Sequence, residues 1–239
     1  MTDPETSGPA DGPSEAGANG TGPEARAVDG RVPGRRGMAT RQRLLECTAA
    51  MVQANAYRDV KVVDIAREAG TSPATFYQYF ADVESAVLAL AEQLTDEGER
   101  FAEVIASTTW RGADGFEAAN ELAGAYLQFW EDHRPILKVI DLATSEGDVR
   151  FRTIRTSFLA ATAQALRDAI ARMQRDGRHP DALDPAAMSG VLVSMLANVA
   201  AHRRGLEDWG VEAAALQDAM ARVIFWAVSG QKPRAAVDG

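Results

Sequence analysis

The sequence predicts an all-α protein of about nine helices: an N-terminal three-helix unit followed by a larger helical body. Three observations carry that prediction. From Thr40 onward, apolar residues recur at spacings of three and four, the period of a helix buried along one side. No run alternates residue by residue with β-branched enrichment, so no half-buried strand is expected. The punctuation is also that of helices, with hydroxyl or acidic residues before apolar runs, Pro at first helical positions and Gly after last ones.

The elements follow in order. Thr40 is placed to cap a first helix reaching about Asn55, and a short second helix covers about Val62–Ala69 and stops at Gly70. Ser72-Pro73 reads as an N-cap followed by an N1 proline, opening a third helix that ends near Phe80. Asp82 caps a long fourth helix running past Ile105. Asp114 with Glu117 three residues on has capping-box spacing and opens a fifth helix, which ends near His133-Arg134-Pro135. A shorter sixth helix runs to about Ala143, a seventh from about Asp148 to Gly177, an eighth from Asp184-Pro185, and a ninth over roughly Val211–Ser229.

Composition sets the bounds. The chain has 239 residues, 46% hydrophobic and 25% charged, which suits a globular protein with a sizeable core. A single cysteine, Cys47, excludes an internal disulfide framework and a Cys-rich zinc site. Three scattered histidines (His133, His179, His202) argue against an imidazole metal centre, so no metal or other cofactor is expected. The longest uncharged stretch, Pro185–Ala201, is broken by Ser189, Gly190, Ser194 and Asn198 and is too short and polar for a membrane span. With no apolar core near the N-terminus, a cytoplasmic location is expected.

Charge is distributed by region. The net charge is −9, but residues 1–34 contribute −4 and residues 35–84 contribute +1. Within 35–61 six bases face two acids, so a local basic patch sits on an acidic chain. Residues 1–37 are Gly, Pro, Ala, Ser and acid with a basic end and are expected to be disordered, as is the tail 231–239. The remainder divides into 38–98, carrying the three-helix unit, and 99–230, the body. Gly20-Thr-Gly22 and Asn19-Gly-Thr21 imitate a dinucleotide fingerprint and a glycosylation site, but the strand and export context each needs is missing.

The most informative stretch is Lys61–Phe80, KVVDIAREAGTSPATFYQYF. Two short helices that cross steeply need a small residue where backbones touch, which is Ala66. They need a residue tolerant of positive φ at the turn, which is Gly70. Phe76 plugs the crossing, and Val62, Ile65 and Phe80 complete a miniature core. An ordinary αα-hairpin would share these features. The outward face separates the two readings, because Ser72, Thr75, Tyr77, Gln78 and Tyr79 can bond phosphates and base edges, and no acid lies between Thr71 and Ala81. That is a helix-turn-helix whose second helix enters the major groove of double-stranded DNA.

Gly70-Thr-Ser-Pro-Ala-Thr-Phe-Tyr-Gln-Tyr-Phe80, after a helix at 40–55 and Asp64-Ile-Ala66, resembles the tetracycline-repressor (TetR) family over about residues 38–95. The resemblance implies a homodimer on a palindromic operator, acting as a repressor and released when a small molecule enters the C-terminal body. DNA contact is expected at Arg35, Arg36, Arg41, Lys61, Thr71, Ser72, Ala74, Thr75, Tyr77, Gln78 and Tyr79, with Arg35 and Arg36, from the basic cluster at 35–61, as a flexible arm. The sequence departs from the family pattern at three places. Ala81 and Val83 stand where proline and a phosphate-touching lysine are usual, Lys61 stands where a hydroxyl residue is usual, and Ala56 replaces a glycine.

In the body, Phe116, Ala119, Ala123, Tyr126, Leu127 and Trp130 share a helical stripe with Phe129 beside it, and Phe101, Trp110, Phe151 and Phe158 add aromatic surface. Plain core and effector box both fit this stripe. For the second, the candidate lining is Phe101, Trp110, Tyr126, Phe129, Trp130, Phe158, Met195 and Asn198, for a mostly apolar effector. The eighth helix is apolar on one face and small on the other, and the ninth is apolar. Gly190, Ser194, Ala197, Ala201, Met220, Val223 and Trp226 are therefore expected at a dimer contact, against the alternative of packing within one subunit. Asn198, a lone amide in an uncharged helix, is expected to be buried, facing either effector or interface. No catalytic constellation emerges: Cys47 reads as core, and Lys138 and Asp141 as a surface pair. The competing function is a helical small-molecule-binding protein or enzyme that no longer binds DNA.

Overall fold

The computed structural model describes residues 34–231, and among them all regular structure is helical, as the periodicity predicts. Four helices come first: α1 (Arg35–Ala54), α2 (Val62–Glu68), α3 (Pro73–Tyr79) and α4 (Val83–Gln93), with a 3-10 turn at Tyr57–Asp59. The body holds α5 (Thr95–Ser107), α6 (Gly112–Asp132), α7 (Arg134–Ser145), α8 (Val149–Arg175), α9 (Pro185–Ala201), α10 (Arg203–Asp208) and α11 (Ala213–Ser229). Its main packings are α5 on α8, α6 on α11 and α8 on α9, while α1 and α4 both rest on α7. No helix among the described residues is long and apolar enough to cross a membrane.

Local chemistry fixes the steep α2–α3 crossing. Ala66, Ile65 and Phe76 are fully buried, and Phe80 packs against Phe76 with ring centroids 5.5 Å apart. Gly70 takes φ +67°, which lets the Thr71 N–H turn back to the Ala66 carbonyl at 2.9 Å and end α2. Ser72 then caps α3, its Oγ accepting from the Thr75 N–H at 3.2 Å. Asp82, Asp148 and Asp184 cap α4, α8 and α9 in the same way. In the body, α5 and α8 touch where Gly98 leaves room, since a Cβ there would meet the Phe158 carbonyl oxygen at 2.5 Å.

Several expectations are corrected. The first helix begins at Arg35, so Arg35–Gly37 form a helical turn and not a disordered end or a flexible arm. Thr40 is inside that helix, and its hydroxyl bonds back to the Arg36 carbonyl at 3.1 Å instead of capping. The long fourth helix is two: at Leu94 the last turn tightens, its N–H bonding Ala91 three residues back at 3.0 Å, and α5 restarts at Thr95. α6 opens at Gly112, after extended Arg111, so Asp114 lies in the first turn and makes no cap bond. A short α10 was not foreseen because its six residues are too few to show a period. The expected tails at residues 1–33 and 232–239 lie outside the described residues.

Candidate nucleic-acid interface and effector core

On α3 the inward side is Phe76 and the outward side is Ala74, Tyr77 and Gln78, all exposed and spaced three and four apart. Tyr77 is 53% exposed and edge-on to Phe76, so its ring has a fixed base and a free hydroxyl end. Thr71, Thr75 and Tyr79 are half-buried, and Tyr79 packs on the core. Ser72 and Thr75 hold each other, their hydroxyl oxygens 3.0 Å apart, so both serve the cap as well as the outer face. Lys61 is exposed beside the start of α2; its backbone carbonyl begins the helix, and its ammonium makes no ion pair among the described residues. Arg35 and Arg36 are exposed on the first turn of α1.

Arg41 departs from the expected surface contact. Its guanidinium lies 5.2 Å from the Phe80 ring centroid, and its Nε is buried with no hydrogen-bond partner. Burial pulls its pKa down, only partly offset by Glu92. Half-buried Arg41 therefore packs α1 onto Phe80 at the end of α3. Val83 is buried, so no side chain there can touch phosphate, as its apolar character predicts.

The aromatic stripe closes into one cluster. Phe101 of α5, Tyr126, Phe129 and Trp130 of α6, and Phe158 of α8 are all buried. Tyr126 lies 4.6 Å from Phe101 and 5.5 Å from Trp130, and Phe129 stacks on Phe158 at 5.1 Å, centroid to centroid. Two donors in this cluster, the Tyr126 hydroxyl and the Trp130 indole N–H, have no hydrogen-bond partner. Thr162 of α8 lies beside the phenol, outside hydrogen-bonding geometry, and donates its own hydroxyl proton, at 3.5 Å, to the Gly98 carbonyl. Burial pushes the Tyr126 phenol far above its usual range. Beside Trp130 and Phe158 a void of about 20 Å³ reaches Leu94, Leu137 and Ile140, room for about one water. The polar ends of Tyr126 and Trp130 are what apolar periodicity hides; Thr162, a hydroxyl on a buried stripe, is the residue that could have signalled them.

Three expected lining residues are elsewhere. Trp110 is buried, donates to the Ile105 carbonyl at 3.1 Å and makes no ring contact with the cluster among the described residues. It closes the α5–α6 turn against Gly115. Met195 is half-buried on α9. Asn198 is exposed and not buried, on the outer side of α9 with Gly190, Val191 and Ser194. The uncharged helix misled here because its polar side faces out of the subunit.

The expected dimer residues divide similarly. Gly190, Ser194, Val223 and Trp226 are exposed and Ala201 is half-buried, but Ala197 and Met220 are buried within their own subunit. Val191 at 65% and Trp226 at 43% leave an apolar surface on α9 and α11. Cys47 is half-buried and not fully core, and Asp141 pairs with Arg155 of α8 at 2.9 Å rather than with Lys138. Among the described residues no cluster of His, Cys, Asp and Glu could hold a metal ion.

The model of the bacterial regulatory proteins of the tetR family matches residues 44–90, and that of the tetracyclin repressor-like C-terminal domain matches 101–235. No curated protein matches the chain in sequence. Among solved structures it is similar to FadR of Bacillus subtilis in complex with stearoyl-CoA, at 18% identity and TM-score 0.59, over 80% of this chain and 98% of that one. It is similar to SmeT, repressor of the Stenotrophomonas maltophilia multidrug efflux pump SmeDEF, at 14% identity and TM-score 0.59, over 84% and 98%. A tetR-family transcriptional regulator from Streptomyces coelicolor aligns at 18% identity and TM-score 0.60, over 80% and 82%. At these identities the structures speak for the fold. The C-terminal match alone spans more than half of the 239 residues, and the chain belongs to the TetR family of bacterial regulators.

Proposed function

We propose that the protein is an effector-released repressor that binds a palindromic operator as a homodimer. In this reading residues 38–98 bind DNA, and residues 99–230 sense the effector and dimerise. The observation that carries it is the α3 face: Ala74, Tyr77 and Gln78 stand exposed on an acid-free helix propped by a buried Phe76. Gln78 and Ala74 suit an adenine edge and a thymine methyl, while Tyr77, Lys61, Arg35 and Arg36 suit phosphates.

The aromatic cluster supports an effector that is mostly apolar and brings hydrogen-bond acceptors to Tyr126 and Trp130. Each buried donor without a partner costs roughly 1–3 kcal/mol, which an acceptor on the effector would recover. The near-closed void means that binding must part the rings, so an occupied body differs in shape from an empty one. The apolar surfaces of α9 and α11 support pairing with a second copy across a two-fold axis, where Asn198 would find its partner. The test is a mobility-shift titration on genomic fragments, repeated across salt concentrations. Specific, salt-sensitive retention that Tyr77→Ala abolishes is expected; retention of no fragment would return the chain to the competing reading of a helical binding protein without DNA, and equal retention of all would overturn the operator.

A further inference from the structure

A larger cleft, of about 560 Å³, lies where the end of α1 meets α7, on the opposite side of α7 from the aromatic cluster. Leu137 and Ile140 of α7 face the cluster side, while Arg134, Lys138 and Val139 face the cleft. Its apolar walls are Val52, Pro135 and Val139, and three cations, Arg134, Lys138 and Arg204, stand around it against one acid, Glu131.

The charges do not cancel. Glu131 takes a hydrogen bond from Arg204 and has Arg134 at 4.0 Å, and these guanidinium groups hold its carboxyl below the usual carboxylate range. Lys138 has no ion-pair partner among the described residues, because Asp141, three residues on, is taken by Arg155. Two positive charges are left over in a concave site, on a chain whose net charge is −9. A solvated helix face would explain scattered cations. It does not explain three from different turns and helices gathered around one cleft with apolar walls.

We propose that this cleft binds a small phosphoryl-bearing ligand with a compact ring or apolar portion. Guanidinium forks and an ammonium match phosphoryl oxygens, the walls accept a flat ring, and the volume lies within the roughly 300–1,000 Å³ of small-molecule sites. Because the cleft is lined by α1 and α7 together, its occupant grips both the DNA-binding helices and the body. Its affinity for one arrangement of the two over the other sets how far it shifts operator binding.

The test is calorimetric titration of the full-length protein at low salt with ADP, pyrophosphate, adenosine and citrate. ADP and pyrophosphate are expected to saturate one site per subunit, and adenosine and citrate to bind at least about tenfold more weakly. Lys138→Glu and Arg204→Gln should each weaken ADP by about tenfold or more while leaving the melting temperature of the exposed-site variants unchanged. The proposal fails if neither phosphoryl probe saturates, if citrate binds as tightly as ADP, or if Lys138→Glu binds ADP like the parent. It fails also if Lys61→Ala abolishes ADP binding, which would put the anion on the DNA face.

Discussion

Replacing Tyr126 with Phe should stabilise the effector-free protein, the opposite of what removing a buried phenol usually does. The Tyr126 side chain is fully buried and its hydroxyl has no hydrogen-bond partner. Tyr126→Phe therefore removes an uncompensated desolvation cost and forfeits only the loose approach to Thr162, a gain of about 1 kcal/mol within a range of roughly 1–3. For a chain of this size that is roughly 2–4 °C in melting temperature. A second signature is alkaline. The folded phenol titrates above the unfolded value of about 10, so above that pH only the unfolded chain releases the proton. Stability is then fully present below about pH 10 and falls, as pH rises toward the folded pKa, by about 1.4 kcal/mol per pH unit for this one group. Tyr57, also raised mainly by burial, adds to the loss in the same direction. Tyr126→Phe should remove one phenol's share of the alkaline slope. Urea unfolding at pH 8 and across pH 9–11 reads both effects. A variant destabilised by about 1 kcal/mol at pH 8 would refute the reasoning, since the hydroxyl would then be hydrogen-bonded in the empty protein.

Three further outcomes are expected. Gln78→Ala should relax sequence preference by ~1–3 kcal/mol at one position per half-site, read by competition among operator variants; a uniform loss would make Gln78 a backbone contact. Replacing Arg35 and Arg36 together with Ala should weaken all sequences alike and flatten the salt slope by about two units, for a dimer's four lost charges at half occupancy, and an unchanged slope would remove the first turn of α1 from the interface. Trp226→Glu on the exposed face of α11 should shift the sedimentation mass from dimer to monomer while leaving helicity intact; an unaltered mass would place the interface elsewhere.

The N-terminal unit was legible because its constraints are local. Gly70, Ser72-Pro73 and Asp82 each solve a backbone problem within a few residues, and the helices start and stop where they indicate. The packing of Arg41 was not legible because charge alone suggests solvent, whereas the ring it lies over, Phe80, is 39 residues away in sequence. The body was legible as helices and as an aromatic stripe, but periodicity assigns a side and not a neighbour. Ala197 and Met220 share helices with Gly190 and Trp226 yet turn into their own subunit. Lys138 and Asp141 have the spacing of a pair, and a guanidinium from α8 takes the acid.

Those long-range contacts also determine how an occupied body could reach the DNA. Under the proposed function α4 would be the link, because its C-cap Leu94 borders the void beside Trp130 and its N-cap Asp82 follows shortly after α3. Its Ser85 N–H and hydroxyl both bond the Asp82 carboxylate, at 2.6 and 2.5 Å, which caps the start of α4, and only Phe80 and Ala81 separate that cap from Tyr79 at the end of α3. A ligand that parts Trp130 from Phe158 must displace neighbours of Leu94. Packed helices respond to such displacement by moving as units, not by compressing. α4 would then carry α3 with it, changing the separation of the two recognition helices in a dimer. The size of the effect is set by the ratio of effector affinities for the two arrangements. About a 10⁴-fold ratio is needed to move occupancy from 1:99 to 99:1, and an effector that binds operator-bound and free protein equally would produce no release at all.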